Sequence, residues 1–433
     1  MSEISIGILG IFMLMVIFLT GIELGIGMAI LGFLGIGYLG TWGGASNQVV
    51  KDFFETFTNY GFTVIPLFVL MGQVAYHSDV AKNLYNSAGK FVGHIPGGLA
   101  MTTVVGATLF KAMCGSTLAT CATFASVAIP EMNRMGYSKK LSTGVVASVG
   151  TLGMLIPPSI PLMIYGIITE QSIGKLFLAG IFPGLIIALF FIFVIIGWVK
   201  IDPSVARPSP RSTWEERIKS SPEFLWVAII FSLVIGGLMA GWFSPTEAGS
   251  IGTAAVFILA YAKRKLSFKS LILSFDESLR TACMVILLIG GSVVFGHFLA
   301  VTSIPFVAAD WIGGLPINKN IVMIMIIFVY LIGGSFIDDL AFMIMATPIF
   351  YPVIIKLGYD PIWFGIMIAI TLMVGVIIPP VAIAVFVVKN ITGEPFKVIY
   401  AGVVPFLLSL IACAALLFFF PGIATWLPSL SGV

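Results

Sequence analysis

The sequence predicts an all-α polytopic membrane protein made of two inverted repeats, each holding a re-entrant helical hairpin and a broken transmembrane helix. Three observations predict it. Of the 433 residues 59% are hydrophobic and only 9% charged, with a mean hydropathy of +1.11, a balance outside that of soluble globular domains. Many of the apolar runs reach the roughly 20 residues that cross a bilayer as a helix, and no regular series of ~10-residue alternating strands accompanies them. Finally, a Gly and a Pro-Pro pair interrupt two of those runs, GTLGMLIPPSIPLMIYG at Gly150–Gly166 and GVIIPPVAIAVF at Gly375–Phe386. Proline lacks the backbone donor, and its ring pushes the preceding residue out of the helical region, so each helix should break there. Unpaired backbone groups at bilayer depth are tolerated only inside protein or along a cavity, so a break made twice points to a binding site.

Taken in order, residues 4–40 give two short spans or one long tilted pair, interrupted near Thr20–Glu23. Met1–Leu19 lacks the basic start of a signal peptide and carries Glu3, so it reads as a first transmembrane helix with nothing cleaved. A span follows at about 53–76, then a more polar interfacial helix at about 79–95, ending at the turn Ile95-Pro96-Gly97-Gly98. Leu99–Ile129 carries Lys111, Gly115, Ser116 and Thr117 in its middle. It is either one span or a re-entrant hairpin, whose tip small and hydroxyl residues suit. A broken helix at 141–168 and spans at 176–199, 224–242, 247–262 and 281–301 come next. A second hairpin at 319–355 centres on GGSFIDD, Gly333–Asp339, before a broken helix at 362–388 and a span at 398–420. The hydrophilic linker 200–222 separates the halves.

Charge placement favours the hairpins. With both re-entrant, the cytoplasmic side receives all of the 22 Lys and Arg residues except Lys51, Lys111, Lys175, Lys319 and Lys356. An ordinary span at either hairpin would invert every later loop and split that bias. An odd number of spans between the hairpins makes the second enter from the opposite face. Gly153, Pro157 and Pro158 then correspond to Gly375, Pro379 and Pro380 at one offset, and Pro130 to Pro348 and Gly115-Ser116 to Gly334-Ser335 at nearly the same one.

At each junction of tip and break, free carbonyls and hydroxyls can replace the hydration shell of a small cation. One sodium-sized site is expected at Gly115, Ser116 and Thr117 with Gly150, Thr151 and Gly153. The second is expected at Gly333, Gly334, Ser335 and Asp338 with Val374 and Gly375. Ser116, Pro158, Ser159, Asp339 and Pro380 are the candidates for a substrate cavity. Taken singly, each Gly, Ser or Thr reads as close helix packing; their coincidence with the breaks, twice, favours sites. Ionisable Asp338 and Asp339 at bilayer depth read as functional, or else as lying at a wet hairpin mouth. Lys111 either attracts an anion or snorkels to the surface.

Other chemistry is poorly supported. Cys114, Cys121, Cys283 and Cys413 lie singly in apolar segments, and His77, His94 and His297 form no ligand pattern. No phosphate loop, GxSxG or HExxH motif appears, which argues against ATP hydrolysis and against an enzyme. The basic residues sit in short loops, fitting membrane orientation rather than nucleic-acid binding.

The runs GSTLATCATFASVAIPEMNRMGY, GTLGMLIPPSIPLMIYG, IGKLFLAGIFPG, GWFSPTEAGSIG and MVGVIIPPVAIAVF resemble the large membrane subunit of tripartite ATP-independent periplasmic (TRAP) transporters over nearly the whole chain. More distantly the chain is similar to sodium-coupled dicarboxylate transporters of the same superfamily, whose Ser-Asn-Thr tips have their counterpart in Gly115-Ser116-Thr117; the missing Asn leaves more of the work to main-chain carbonyls. The resemblance implies an elevator-type sodium symporter of the bacterial inner membrane, with Na+ as coupling ion and no other cofactor. Scaffold would comprise 1–97, 176–317 and 391–433, and the transport domain 98–175 (hairpin 98–132, broken helix 138–168) and 318–390 (hairpin 318–355, broken helix 362–388). It also implies a separate small four-helix membrane subunit, since none is fused here, a periplasmic substrate-binding protein, and a carboxylate substrate. C4-dicarboxylates and sialic acid lead, general likeness leaning to sialic acid. The alternative is a stand-alone sodium/dicarboxylate symporter without a binding protein.

Overall fold

A computed structural model describes residues 2–18, 20–313 and 316–431, and these residues form helices and turns without a strand. Helices α1 (Glu3–Phe18), α2 (Leu24–Leu39), α3 (Trp42–Thr58) and α4 (Val64–His77) open the chain. The span expected at 53–76 is therefore two elements. Asn59, whose side chain accepts the Gly61 amide at 2.8 Å, opens a short 3-10 turn at Tyr60–Thr63, and the more polar α3 stands apart from α4. Helix α5 (Val80–Val92) is amphipathic as expected, burying Leu84, Tyr85 and Ala88 against α6 (Gly98–Lys111) and α7 (Thr117–Arg134). Then come α8 (Lys139–Gly150), α9 (Ile160–Ile168) and the long α10 (Ile173–Ile201).

The linker is ordered. It carries α11 (Trp214–Ser220), started by a capping box between Thr213 and Glu216. Its Val205 carbonyl accepts the Ser138 amide at 2.8 Å, and its Ser209 amide donates to the Gly93 carbonyl at 2.9 Å. Buried Arg217 donates through Nε to the Lys90 carbonyl at 3.1 Å, satisfying an orphan acceptor at the end of α5. Helices α12 (Pro222–Met239), α13 (Pro245–Ala262) and α14 (Phe268–Val301) follow, then α15 (Ile304–Gly313), which the sequence reading lacked. Last come α16 (Lys319–Phe336), α17 (Asp339–Lys356), α18 (Pro361–Gly375), α19 (Ile383–Thr392), α20 (Phe396–Phe419) and α21 (Gly422–Ser429).

Packing sorts these helices into two groups. In the first, α14 lies against α2, α3 and α4, and α13 against α4 and α12. Gly25 and Gly32 bring α2 onto the backbone of α14: a Cβ on Gly25 would stand 2.7 Å from the Leu287 carbonyl oxygen, so only small residues permit this approach. In the second group α8 crosses α20 where Gly144 meets Gly402. Phe191 of α10 stacks edge-on with Phe406 of α20, centroids 5.3 Å apart, and buried Trp363 of α18 donates to the Leu417 carbonyl at 3.0 Å. Helices α10 and α20, which the resemblance assigns to the scaffold, thus pack on the broken helices α8, α9 and α18. Helices α5, α11 and α15 carry the chain between the groups. Seven helices among the described residues are long and apolar enough to cross a membrane. Their outward faces carry exposed Leu189, Phe193, Phe328 and Leu408, as lipid contact requires, and the chain is a multi-pass membrane protein.

Candidate ion-binding site

Both hairpins form. Helices α6 and α7 run antiparallel, with Phe110 against Phe124 at a centroid distance of 6.2 Å. Across α16 and α17, Tyr330 meets Phe342 at 5.6 Å and its hydroxyl lies 3.3 Å from the Thr347 hydroxyl. Both candidate broken helices break as well: α8 gives way to a 3-10 turn at Thr151–Met154 before α9 begins, and α18 ends at Gly375, eight residues before the start of α19 at Ile383. The bonds Pro157-Pro158 and Pro379-Pro380 are both cis.

At the first junction Ser116 caps α7, its hydroxyl accepting the Ala119 amide at 3.2 Å. Gly115 packs so closely on the Pro158 carbonyl that a side chain there would collide with it. Gly150 faces the Cys121 sulfur and Gly153 the Lys111 side chain. Thr151 donates to the Ser148 carbonyl at 2.8 Å. Ser159 is wholly buried; its hydroxyl donates to the Met154 carbonyl at 2.7 Å and accepts the Leu162 amide at 3.4 Å. It therefore ties the two sides of the break together and caps α9, so in this conformation its hydroxyl is engaged within the protein. Lys111 neither snorkels nor faces a carboxylate: it is 0% exposed and its Nζ donates to the Ser116 carbonyl at 2.8 Å.

The second junction is differently furnished. Asp338 caps α17, accepting the Ala341 amide at 3.2 Å. The Val381 amide donates to the Ser335 carbonyl at 3.2 Å, fastening break to tip, and Gly375 stacks on Gly334, where a Cβ would stand 2.8 Å from the Gly334 carbonyl carbon. Gly333 lies under the Phe342 ring, and the Val374 carbonyl accepts the Ile377 and Ile378 amides at 3.2 Å each. Asp338 and Asp339 are half-buried, and among the described residues no Lys, Arg or His nitrogen lies within 4.0 Å of either carboxylate. Two carboxylates without a cationic partner suit a small hard cation. Pro379 and Pro380 are exposed, whereas Pro157 and Pro158 are buried.

The expected substrate residues are divided between the junctions. A cavity of about 40 Å³ at the first tip is lined by Gly115, Ser116, Gln73, Thr281 and neighbours, but by none of Pro158, Ser159, Asp339 or Pro380. Gln73 of α4 was not foreseen; its buried side-chain oxygen has no partner. A second unforeseen feature lies between the helix groups, where Asp52, Glu55, Thr56, Asn59 and Ser292 meet Ile167 and Pro348 around a cavity of about 290 Å³. There the buried Asp52 carboxylate accepts from Gln48 at 2.8 Å and pairs with His297 at 2.8 Å. The only sequence signal was the polar spacing of Gln48 and Asp52, one helical turn apart.

Residues 11–423 match the sequence family described as the DctM component of tripartite ATP-independent periplasmic transporters. The chain is 35% identical over 385 residues to the C4-dicarboxylate TRAP transporter large permease protein DctM of Pseudomonas aeruginosa, covering 88% of this chain and 89% of that one. It is 31% identical over 373 residues to the sialic acid TRAP transporter large permease protein SiaM of Vibrio cholerae, covering 86% and 87%. In fold it is similar to the YdaH transporter of Alcanivorax borkumensis, with a TM-score of 0.65 at 13% identity over 88% of this chain and 89% of that one.

Proposed function

Because the chain belongs to the DctM component family of tripartite ATP-independent periplasmic transporters, and so is a large permease subunit, we propose that it imports an organic acid anion by sodium symport. The observation that carries the coupling is the pair of half-buried, unpaired carboxylates, Asp338 and Asp339, at the second junction. A cation about 4 Å from one carboxylate gains roughly 4 kcal/mol at an effective dielectric of 20. Sodium held there, with Gly333, Gly334, Ser335 and Gly375 around it, offsets charge that otherwise remains unpaired and draws tip and break together; Val374, whose carbonyl already accepts two amides, shapes the break rather than binding the ion. That tightening links ion binding to the geometry of the second junction.

The substrate class is supported by two relatives, whose names specify C4-dicarboxylate and sialic acid; both are carboxylate anions. In each junction a helix N-terminus, that of α7 or α17, presents its positive dipole end toward the tip, which favours an anion nearby. The two helix groups supply an elevator: α6–α10 and α16–α21 move as one body against α1–α4 and α12–α14, with the halves inverted so that access alternates between faces. A "large permease protein" implies a smaller membrane partner, and we assign this chain a four-helix subunit, a periplasmic binding protein that delivers substrate, and a place in the bacterial inner membrane.

The test is reconstitution into liposomes with both partners. Substrate should accumulate only under an inward sodium gradient, and omission of the binding protein should abolish uptake at low substrate concentration. Equal uptake in potassium would reject the coupling; uptake by the membrane subunits alone would show a stand-alone symporter.

A further inference from the structure

The two junctions differ in one respect that their shared layout makes legible. The residue that caps the second helix of each hairpin is Ser116 in the first and Asp338 in the second, at the same offset that relates Pro158 to Pro380 and Gly153 to Gly375. This replaces the pairing of Gly115-Ser116 with Gly334-Ser335, because α16 runs on through Ser335 to Phe336 whereas α6 stops at Lys111. At that offset Thr117 corresponds to Asp339, and Lys111 to Gly333. The half with a lysine lacks the carboxylates, and the half with the carboxylates lacks the lysine.

We propose that the Lys111 ammonium is a resident cation at the first junction, standing where one coupling sodium would bind, so that this chain couples to sodium through the second junction alone. The Ser116 carbonyl, one of the oxygens of the expected first site, already accepts Lys111 Nζ at 2.8 Å, the Thr120 hydroxyl at 3.0 Å and the Thr120 amide at 3.3 Å. A carbonyl oxygen has two lone pairs, so none remains for an ion. Gly153 makes room for the amine: a Cβ there would stand 2.9 Å from both Lys111 Cδ and Cε. As the last residue of α6, Lys111 also sits where the helix dipole favours positive charge. Sodium sharing this pocket at about 4 Å from the ammonium would bind on the order of a thousand times more weakly. A tethered charge travels with the moving body in both directions and transfers nothing per cycle, whereas sodium is released inside.

This rests on the sodium-symport reading, and the experiment separates the two. The sodium-to-substrate ratio is measured from reversal potentials in proteoliposomes holding the full chain with its partners, for wild type, Lys111→Ala, and Lys111→Gly combined with Ser116→Asp, which gives the first junction the second's glycine and capping carboxylate. Both variants should carry one more sodium per substrate than wild type, with steeper sodium cooperativity. Should either fail to transport, thermal unfolding of the purified subunit in NaCl against KCl should show an additional saturable sodium-dependent stabilisation. A sodium-dependent wild type with neither gain in both variants overturns the resident cation alone. Lost substrate affinity at an unchanged ratio also overturns it, marking Lys111 as a counter-charge for the anion. A wild type indifferent to sodium overturns the coupling and this inference together.

Discussion

Gly375→Ala offers the sharpest perturbation of the second junction. The new methyl would stand 2.8 Å from the Gly334 carbonyl carbon, 2.9 Å from its oxygen and 3.2 Å from the Ser335 nitrogen. All three are backbone atoms, so no side chain can swing aside; the hairpin tip must retreat by roughly 0.6 Å or more to reach ordinary contact. The Val381–Ser335 hydrogen bond, already 3.2 Å, then passes its useful length. Overpacking of this kind costs about 1–3 kcal/mol, against a gain of up to about 1 kcal/mol from replacing a helical glycine. A net loss of about 1.4 kcal/mol borne by the ion-bound state is a tenfold rise in the sodium concentration for half-maximal uptake. Gly236→Ala in α12, where a Cβ meets nothing within 4 Å, is the control and should stabilise by about 0.5–1 kcal/mol without altering sodium dependence. Uptake titrations in proteoliposomes and melting of the purified subunit in sodium read both effects. Wild-type melting and wild-type sodium dependence in Gly375→Ala would refute the close contact of tip and break and the role assigned to it.

Asp338→Ala should raise the half-saturating sodium concentration at least tenfold, since about half of the roughly 4 kcal/mol of a close ion pair survives desolvation; unchanged titrations would remove the residue from the site. Ser159→Ala should lower stability by about 0.5–2 kcal/mol through the lost cap of α9 while leaving the order of substrate preference intact in competition assays. A changed preference would return Ser159 to the substrate cavity. Arg217→Ala removes a charged hydrogen bond worth about 1.5–3 kcal/mol and should expose Arg207 and Arg211 of the linker to trypsin faster than in wild type; equal cleavage rates would show that the linker is held by other contacts.

The parts of the fold that were legible in the sequence are those where one residue type dictates backbone chemistry. Pro157-Pro158 and Pro379-Pro380 announced the breaks, because proline acts locally; Gly115-Ser116-Thr117 marked the first tip, whereas in the second hairpin Gly333-Gly334-Ser335 continues α16 and the turn falls at Ile337 and Asp338. The sequence runs the end of α3 into the following span and leaves its start unassigned, because a 3-10 turn at Tyr60–Thr63 has no proline to announce it; Asn59 marks the boundary. Which group α20, and with it α10, joins is set by meetings such as Gly144 of α8 with Gly402 of α20, hundreds of residues apart, which periodicity does not encode. Lys111 illustrates the limit most sharply. Its position on a helix end is equally consistent with a solvent-seeking amine, and only the space opened by Gly153 decides otherwise.

The linker's two anchors set a leash. Val205 is bonded to Ser138, between α7 and α8, and Ser209 to Gly93, just past α5. Four residues extend at most about 14 Å. Under the elevator proposed above, a body containing α8 that moves farther than that from the end of α5 must release one of the two bonds, so its stroke is either short or punctuated by an unclasping of the linker.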